Sequence, residues 1–283
     1  DYPYYQALMF FNGVGIVRNC IFESIAICLS FNIGGQVANS ILNGGSIPIF
    51  ITDSNNALYE VNNSIFSFSN YQMSYYGIYN LAGGGEFKIY NNIMFTSNTS
   101  TSSYPIKLLT DSKIEINNNL FWGYKYGINC TNYQNTLTDT TYIKNNIFSN
   151  FGGYCIITGN QPKEYEIENN IFAKSKKGIY TYGYVSKSDY NLFYNIQENL
   201  YTNMQKGEHD FVADPMFVND TAAVLGGTYN YKLQKYSPAI DAGDPNILDI
   251  DGSRSDIGMY GGPLGIKYTY QDLAPKLVTG LTG

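Results

Sequence analysis

Apolar and polar positions alternate in short runs along this chain, and the runs repeat. The stretch YIKNNIFSNFGG, from Tyr142 to Gly153, has close echoes in VNNSIFSFSN, INNNLFWGYKYG and IENNIFAKSKKG. Aligned on the Phe, the echoes place an apolar anchor at Phe22, Leu42, Phe66, Phe95, Phe121, Phe148, Phe172 and Phe193, spaced 20 to 29 residues apart. An aliphatic residue precedes each anchor, and Asn stands three places before it in seven of the eight units. Val or Ile stands five places before it, with Tyr90 and Ser188 as departures. A second apolar slot recurs seven places after the anchor at Leu29, Ile49, Ile128, Cys155 and Ile179. It arrives late at Ile78 and Ile106, where a turn has absorbed extra residues.

Alternation broken by Asn and Gly predicts two or three short strands per unit, separated by sharp bends. No stretch holds a helical period. A unit of this length cannot bury its own apolar face. Stacked coil on coil it can, with a rise of about 4.8 Å and backbone hydrogen bonds along the stack. The pattern therefore predicts an all-β, right-handed parallel β-helix, a solenoid of about eight or more coils. Asn suits the bends because it tolerates the left-handed backbone conformation, and stacked Asn side chains can bond from coil to coil. The leucine-rich repeat has an overlapping period, but its longer signature is absent.

The rhythm stops after Phe193, where DFVADPMFVND, YNYKLQKYSPAIDAGDP and LDIDGSRSDIGMYGGP follow. From Phe211 to Pro263 these phrases resemble the closing segment of bacterial secreted right-handed parallel β-helix repeat proteins, the pectate-lyase-like superfamily. The resemblance implies the β-helix fold, a cap at its C-terminal end, and a secreted or cell-surface location. It leaves activity open, since that superfamily holds lyases, hydrolases, epimerases and adhesins. A cap has a physical reason, because the last coil would otherwise expose apolar side chains and strand edges. The expected organisation is coils over 1–195, a capping segment over 196–263, and a linker or the start of a following module over 264–283. YQALMFFNGVG reads as part of an earlier coil, so more protein is expected upstream.

Composition adds exclusions. Charged residues make up 14% of the chain, and 28 Tyr help fill the gap, which suits strands. A net charge of -6 with two Arg, Arg18 and Arg254, argues against a nucleic-acid partner, which needs clustered cations. No apolar run reaches the roughly 18 residues of a transmembrane helix.

Candidate chemistry is thin. Asp249, Asp251 and Asp256 surround a Gly turn with hard oxygen ligands, which suits Ca²⁺, the one candidate cofactor. The plainer reading has these carboxylates accepting backbone N–H groups or pairing with Arg254. Acidic residues in the coils are sparse: Glu115 and Glu166 share a position two coils apart, Glu168 does not, and the single His, His209, lies in the tail. Tyr76, Trp122, Tyr124 and Tyr126 are candidate carbohydrate-binding residues, against the plainer reading of Tyr as a strand former. Cys130 and Cys155 are expected to point inward on adjacent coils, offset by two residues and too far apart for a bridge. Sequons at Asn62, Asn98, Asn129 and Asn219 are candidate glycosylation sites. The reading is a structural or adhesive module whose partner is a polysaccharide or a further copy joined head to tail. The alternative is a polysaccharide lyase or glycoside hydrolase acting on an anionic polysaccharide.

Overall fold

The computed structural model of the chain describes residues 6–10, 13–23, 27–44, 47–52, 57–68, 75–96, 102–110, 113–131, 138–159, 163–182 and 187–273. It is an all-β parallel solenoid with no helix among the described residues. Three parallel sheets run its length. Sheet 1 has nine strands, from Gln6–Phe10 to Tyr201–Thr202; sheet 2 has eight, from Gly15–Arg18 to Lys187–Asp189; sheet 3 has nine, from Ile21–Glu23 to Phe211–Val212. The chain visits them in turn, so each strand pairs with its counterparts one coil before and after.

Alternate side chains from all three sheets fill the interior. Phe22, Leu42, Phe66, Met94, Phe121, Phe148, Phe172 and Phe193 stand in one register-matched row on sheet 3. The last four rings stack at centroid spacings of 5.2, 5.1 and 4.8 Å. On sheet 1 the matching row is Leu29, Ile49, Ile78, Ile106, Ile128, Ile156 and Ile179, each buried. The late slots Ile78 and Ile106 therefore fall in line as expected.

Two positions differ from the sequence register by one residue. Met94, not Phe95, aligns with Phe66 and Phe121, and Phe95 points outward. With that shift Ile89 takes the position five before the anchor, and the departure at Tyr90 disappears. Likewise Ile156, not Cys155, pairs with Ile128 and Ile179. Cys130 lies opposite Thr158, so Cys155 is displaced from it by three residues rather than two. Both side chains are buried, and neither forms a disulfide.

The repeated Asn pair divides into two jobs. The first Asn takes the left-handed corner: Asn19, Asn39, Asn63, Asn91, Asn118, Asn145 and Asn169 all have φ between 48° and 56°. The second builds a buried ladder of Asn92, Asn119, Asn146, Asn170 and Asn191, each fully shielded from solvent. The Oδ1 of Asn119, Asn146, Asn170 and Asn191 accepts the backbone N–H and the side-chain amide of the Asn one coil earlier, at 2.9 to 3.1 Å. Each Nδ2 also donates to a carbonyl on the preceding coil, as Asn146 does to Ile116 at 2.8 Å. Toward the N-terminus Ser64 and Ser40 take over the row. At the other end the row stops on Asp210, whose carboxylate accepts the Asn191 N–H and amide. Its second oxygen takes Gly207 N–H and the Tyr201 hydroxyl. Burial and then the neighbouring Asp210 hold Tyr201 far above the usual tyrosine range.

The C-terminal segment completes the last coil and then turns along its flank. Ile196, Leu200, Tyr201 and Met204 pack against the end of the interior. Beyond them the antiparallel pair Phe217–Asn219 and Asn230–Leu233, with Ala239, Ile257 and Met259, covers Leu120, Ile147, Ile171 and Leu192 on the outer face of sheet 3. Corner Asn side chains hold the segment: Asn118 donates to Met259 O at 3.0 Å, Asn145 to Asp256 O at 3.0 Å, and Asn169 accepts Asp244 N–H at 2.8 Å. Gly258 lies against Ile171 with φ of 102°, where a Cβ would meet the Ile171 side chain at 2.8 Å. The phrase Ser255-Asp256-Ile257-Gly258 is thus part of a docking segment. Residues 274–283, within the expected linker, lie outside the described residues.

Asn146→Ala strands two donors of Asn119 in the interior and should cost about 2–4 kcal/mol of stability. Asn43→Ala, on an outward position, should stay within about 0.5 kcal/mol. Urea unfolding of the two variants checks the difference.

Candidate functional site

The three outer faces differ in chemistry. Sheet 3 presents apolar residues and is largely covered by the C-terminal segment. Sheet 2 carries a row of Gln36, Glu60, Lys88, Glu115, Tyr142, Glu166 and Lys187 in register. It carries both signs of charge, and its carboxylates are taken up locally: Lys113 pairs with Glu115, and Lys144 reaches Glu166 and also Glu168 at 2.7 and 2.9 Å. Glu168 is buried and also pairs with Lys187. Glu115 and Glu166 do share a row, but Tyr142 stands between them. They form no carboxylate pair.

Sheet 1 is the distinct face. Its nine strands contain no Asp or Glu and two Lys, Lys107 and Lys177. Tyr76 pairs with Tyr104, and the registers of the following strands bring Tyr126 and Tyr154 into the same row. The Tyr76 and Tyr104 rings lie 5.8 Å apart and 10° from parallel, and Tyr104 and Tyr126 lie 5.1 Å apart at 25°. Tyr79 stacks on Tyr76 at 4.4 Å. Strand alternation points Ile78 and Ile106 inward and so turns Tyr79 and Lys107 outward. The Lys107 ammonium sits 5.2 to 5.6 Å from the rings of Tyr76, Tyr79 and Tyr104.

Electrostatics follow from that crowding. Burial pushes the Tyr104 hydroxyl up to about 12, helped by the neighbouring Tyr126, Tyr76 and Tyr182. Burial also lowers Lys107 below the ordinary lysine range. Among the described residues no carboxylate forms an ion pair with Lys107. Lys177, at the far end of the row, lies 4.8 Å from the Tyr154 ring and pairs with Glu198 at 3.2 Å.

The four expected sugar-binding residues separate. Tyr76 and Tyr126 belong to the row, with Tyr104 between them. Tyr124 does not: it is fully buried beside Phe68 and Phe151, and its hydroxyl has no hydrogen-bond partner among the described residues. Trp122 sits on sheet 3 among the residues that the C-terminal segment packs against. Tyr104, Tyr79 and Tyr154 were missed because their repeat spacing shows up once the inserted turns are placed, and not before.

The three carboxylates proposed for Ca²⁺ serve the docking segment. Asp249 accepts the N–H groups of Asp256 and Gly262, Asp256 accepts Asp241 N–H at 2.9 Å and the Tyr270 hydroxyl at 2.7 Å, and Asp251 accepts Ser253 Oγ–H at 2.7 Å. Arg254 pairs with none of them and donates to the carbonyls of Gly243 and Ala242. Among the described residues no three His, Cys, Asp or Glu side chains converge as a metal site. No described helix is long and apolar enough to cross a membrane. Of the sequons, Asn62 is buried in a strand, Asn129 and Asn219 are partly exposed, and Asn98 lies outside the described residues. No protein-family profile, no curated protein and no solved structure matches the chain.

Burial pushes the Asp249 carboxyl up to about 6, against the N–H groups that pull it down. The native state therefore keeps this proton up to about pH 6, while the unfolded chain releases it near 3.8. Native protein binds the extra proton in that window, so this residue's contribution to stability falls as pH rises from about 4 to 6. Asp244 and Asp251 are held below the usual carboxylate value and act in a lower window. Thermal melts across pH 4 to 7 should show the Asp249 slope in the wild type and a flatter profile in Asp249→Asn.

Proposed function

We propose that this chain is a non-enzymatic module of an extracellular or cell-surface protein, a rigid solenoid whose sheet 1 face binds polysaccharide. The single observation that carries the reading is that face: an acid-free aromatic row in a chain of net charge -6. Stacked tyrosines turn their ring faces toward one another. A polymer lying over the row therefore meets hydroxyls, ring edges and the Lys107 ammonium, where the sequence alone suggested stacking on ring faces. Tyr182, 58% exposed and edge-on to Tyr180, offers an open ring at the margin.

The location is supported by the resemblance of Phe211–Pro263 to secreted right-handed β-helix proteins, and the right-handed sense of the coil belongs to the same resemblance. The sheet 2 row supports a non-enzymatic role, since its carboxylates are taken up by lysines and a tyrosine of the same face.

Retention on immobilised neutral and uronic-acid-containing polysaccharides tests the reading. The wild type should be retained, and Tyr104→Ala should weaken binding about two- to tenfold, the equivalent of about 0.5–1.5 kcal/mol of lost ring contact. Absence of retention on every polymer, or release of shortened chains, would overturn it.

A further inference from the structure

At the corner position where seven other coils carry Asn, the last coil carries Tyr190, with φ of 55°. A bulky side chain in the left-handed region meets a steric penalty that Asn largely escapes. The same coil replaces the Val or Ile two residues earlier with Ser188. Departures from a repeat that also cost backbone strain direct attention to function. The side chains around this corner give that strain a purpose.

His209 lies flat on Tyr190, with centroids 4.4 Å apart and planes 1° from parallel. Asp189 clamps it twice, accepting its backbone N–H at 2.7 Å and lying 2.8 Å from Nδ1. That contact assigns the ring proton to Nδ1 and leaves Nε2 as the nitrogen that titrates. The guanidinium of Arg254 stands 5.6 Å from the Tyr190 centroid. Two backbone carbonyls hold it, and no carboxylate among the described residues forms an ion pair with it. Its neighbour Lys187, by contrast, pairs with Glu168 and with Asp244 at 3.2 Å. The groups acting on His209 are Asp189 and Glu208, which raise its proton affinity, and Arg254, which lowers it. Tyr190 also feels Asp244 and Lys187. The site is separate from the sheet 1 face, and its fate does not depend on that reading.

We propose that Tyr190, His209 and Arg254 form a binding site for an oxyanion, a carboxylate, sulfate or phosphate group held by the guanidinium and the protonated imidazole. An exposed imidazole fixed by a carboxylate and an aromatic plane, with a guanidinium against the same tyrosine ring and no ion pair to it among the described residues, is chemistry that a purely structural corner does not need. A structural corner is what Asn supplies at the other coils. Binding strengthens as pH falls through the His209 titration, because protonation adds the second cation. In return, a bound anion offsets the repulsion from Arg254 and raises the proton affinity of His209.

His209 is the single His of the chain, so its ring Cε1–H gives one resolved reporter in a proton–carbon NMR spectrum. The protein is titrated with acetate, inorganic sulfate and inorganic phosphate, with chloride at matched ionic strength as the reference. The expected result is a saturable shift of the His209 signal and a rise of about half a pH unit or more in its titration midpoint. The oxyanion that acts at the lowest concentration identifies the acidic group of the ligand. Arg254→Gln should abolish the response. Because Arg254 also holds the docking segment, Tyr190→Asn serves as the second variant. It should melt at the same or a higher temperature than the wild type, since Asn suits the corner, while its anion affinity falls at least about threefold. A response no different from chloride, or an unchanged response in either folded variant, would overturn the proposal.

Discussion

One side-chain amide, repeated through five successive coils, ties this molecule together. A parallel solenoid must bend its chain sharply at each corner, and a bend exposes backbone N–H groups that no strand can pair. The Asn ladder meets this need inside the wall. Each Oδ1 takes the N–H and the amide of the coil before, and each Nδ2 passes a hydrogen bond to the coil after. Every oxygen faces the N-terminal side, so the row has a direction. Its last member must accept without needing to donate, and Asp210 meets that condition where Asn would not.

With the corners fixed, the three faces are free to differ. The interior rows require an aliphatic or aromatic residue at set positions, and outward positions carry whatever the face demands. Sheet 3 uses its outer row to bind the chain's own C-terminal segment, gripped by the corner asparagines at Asn118, Asn145 and Asn169. Sheet 2 gives its outer row to charges of both signs, which pair locally and are worth little pairwise at a surface. Sheet 1 is left with tyrosines and two lysines and with no internal partner of opposite sign in its strands. The candidate binding face is therefore the one that the fold does not use for itself.

The period, the fold class and most interior residues were legible because a stacked coil repeats its demands. The errors came where two similar residues sit side by side. Met94 and Phe95 are both apolar, as are Cys155 and Ile156, and spacing alone cannot choose between neighbours when a turn has changed length. The Asn pair was legible in part: bends and bonding from coil to coil are both expected of Asn, but the pattern does not say that the first member takes the bend and the second forms the ladder. Tyr124 and Tyr126 share an alternation that breaks at the turn between sheets 3 and 1, which sends one ring inward and the other out. The flank contacts of the C-terminal segment join residues 75 to 143 positions apart, a distance over which local pattern carries no information.

Hydrogen exchange of the ladder amides tests this account most directly. The account predicts that the backbone N–H groups of Asn119, Asn146 and Asn170, and their side-chain amide protons, exchange as slowly as the N–H groups of the neighbouring strands, through global unfolding. Side-chain amide exchange at the rate of a free Asn, with the strands still protected, would show that the ladder is not the element on which the solenoid depends.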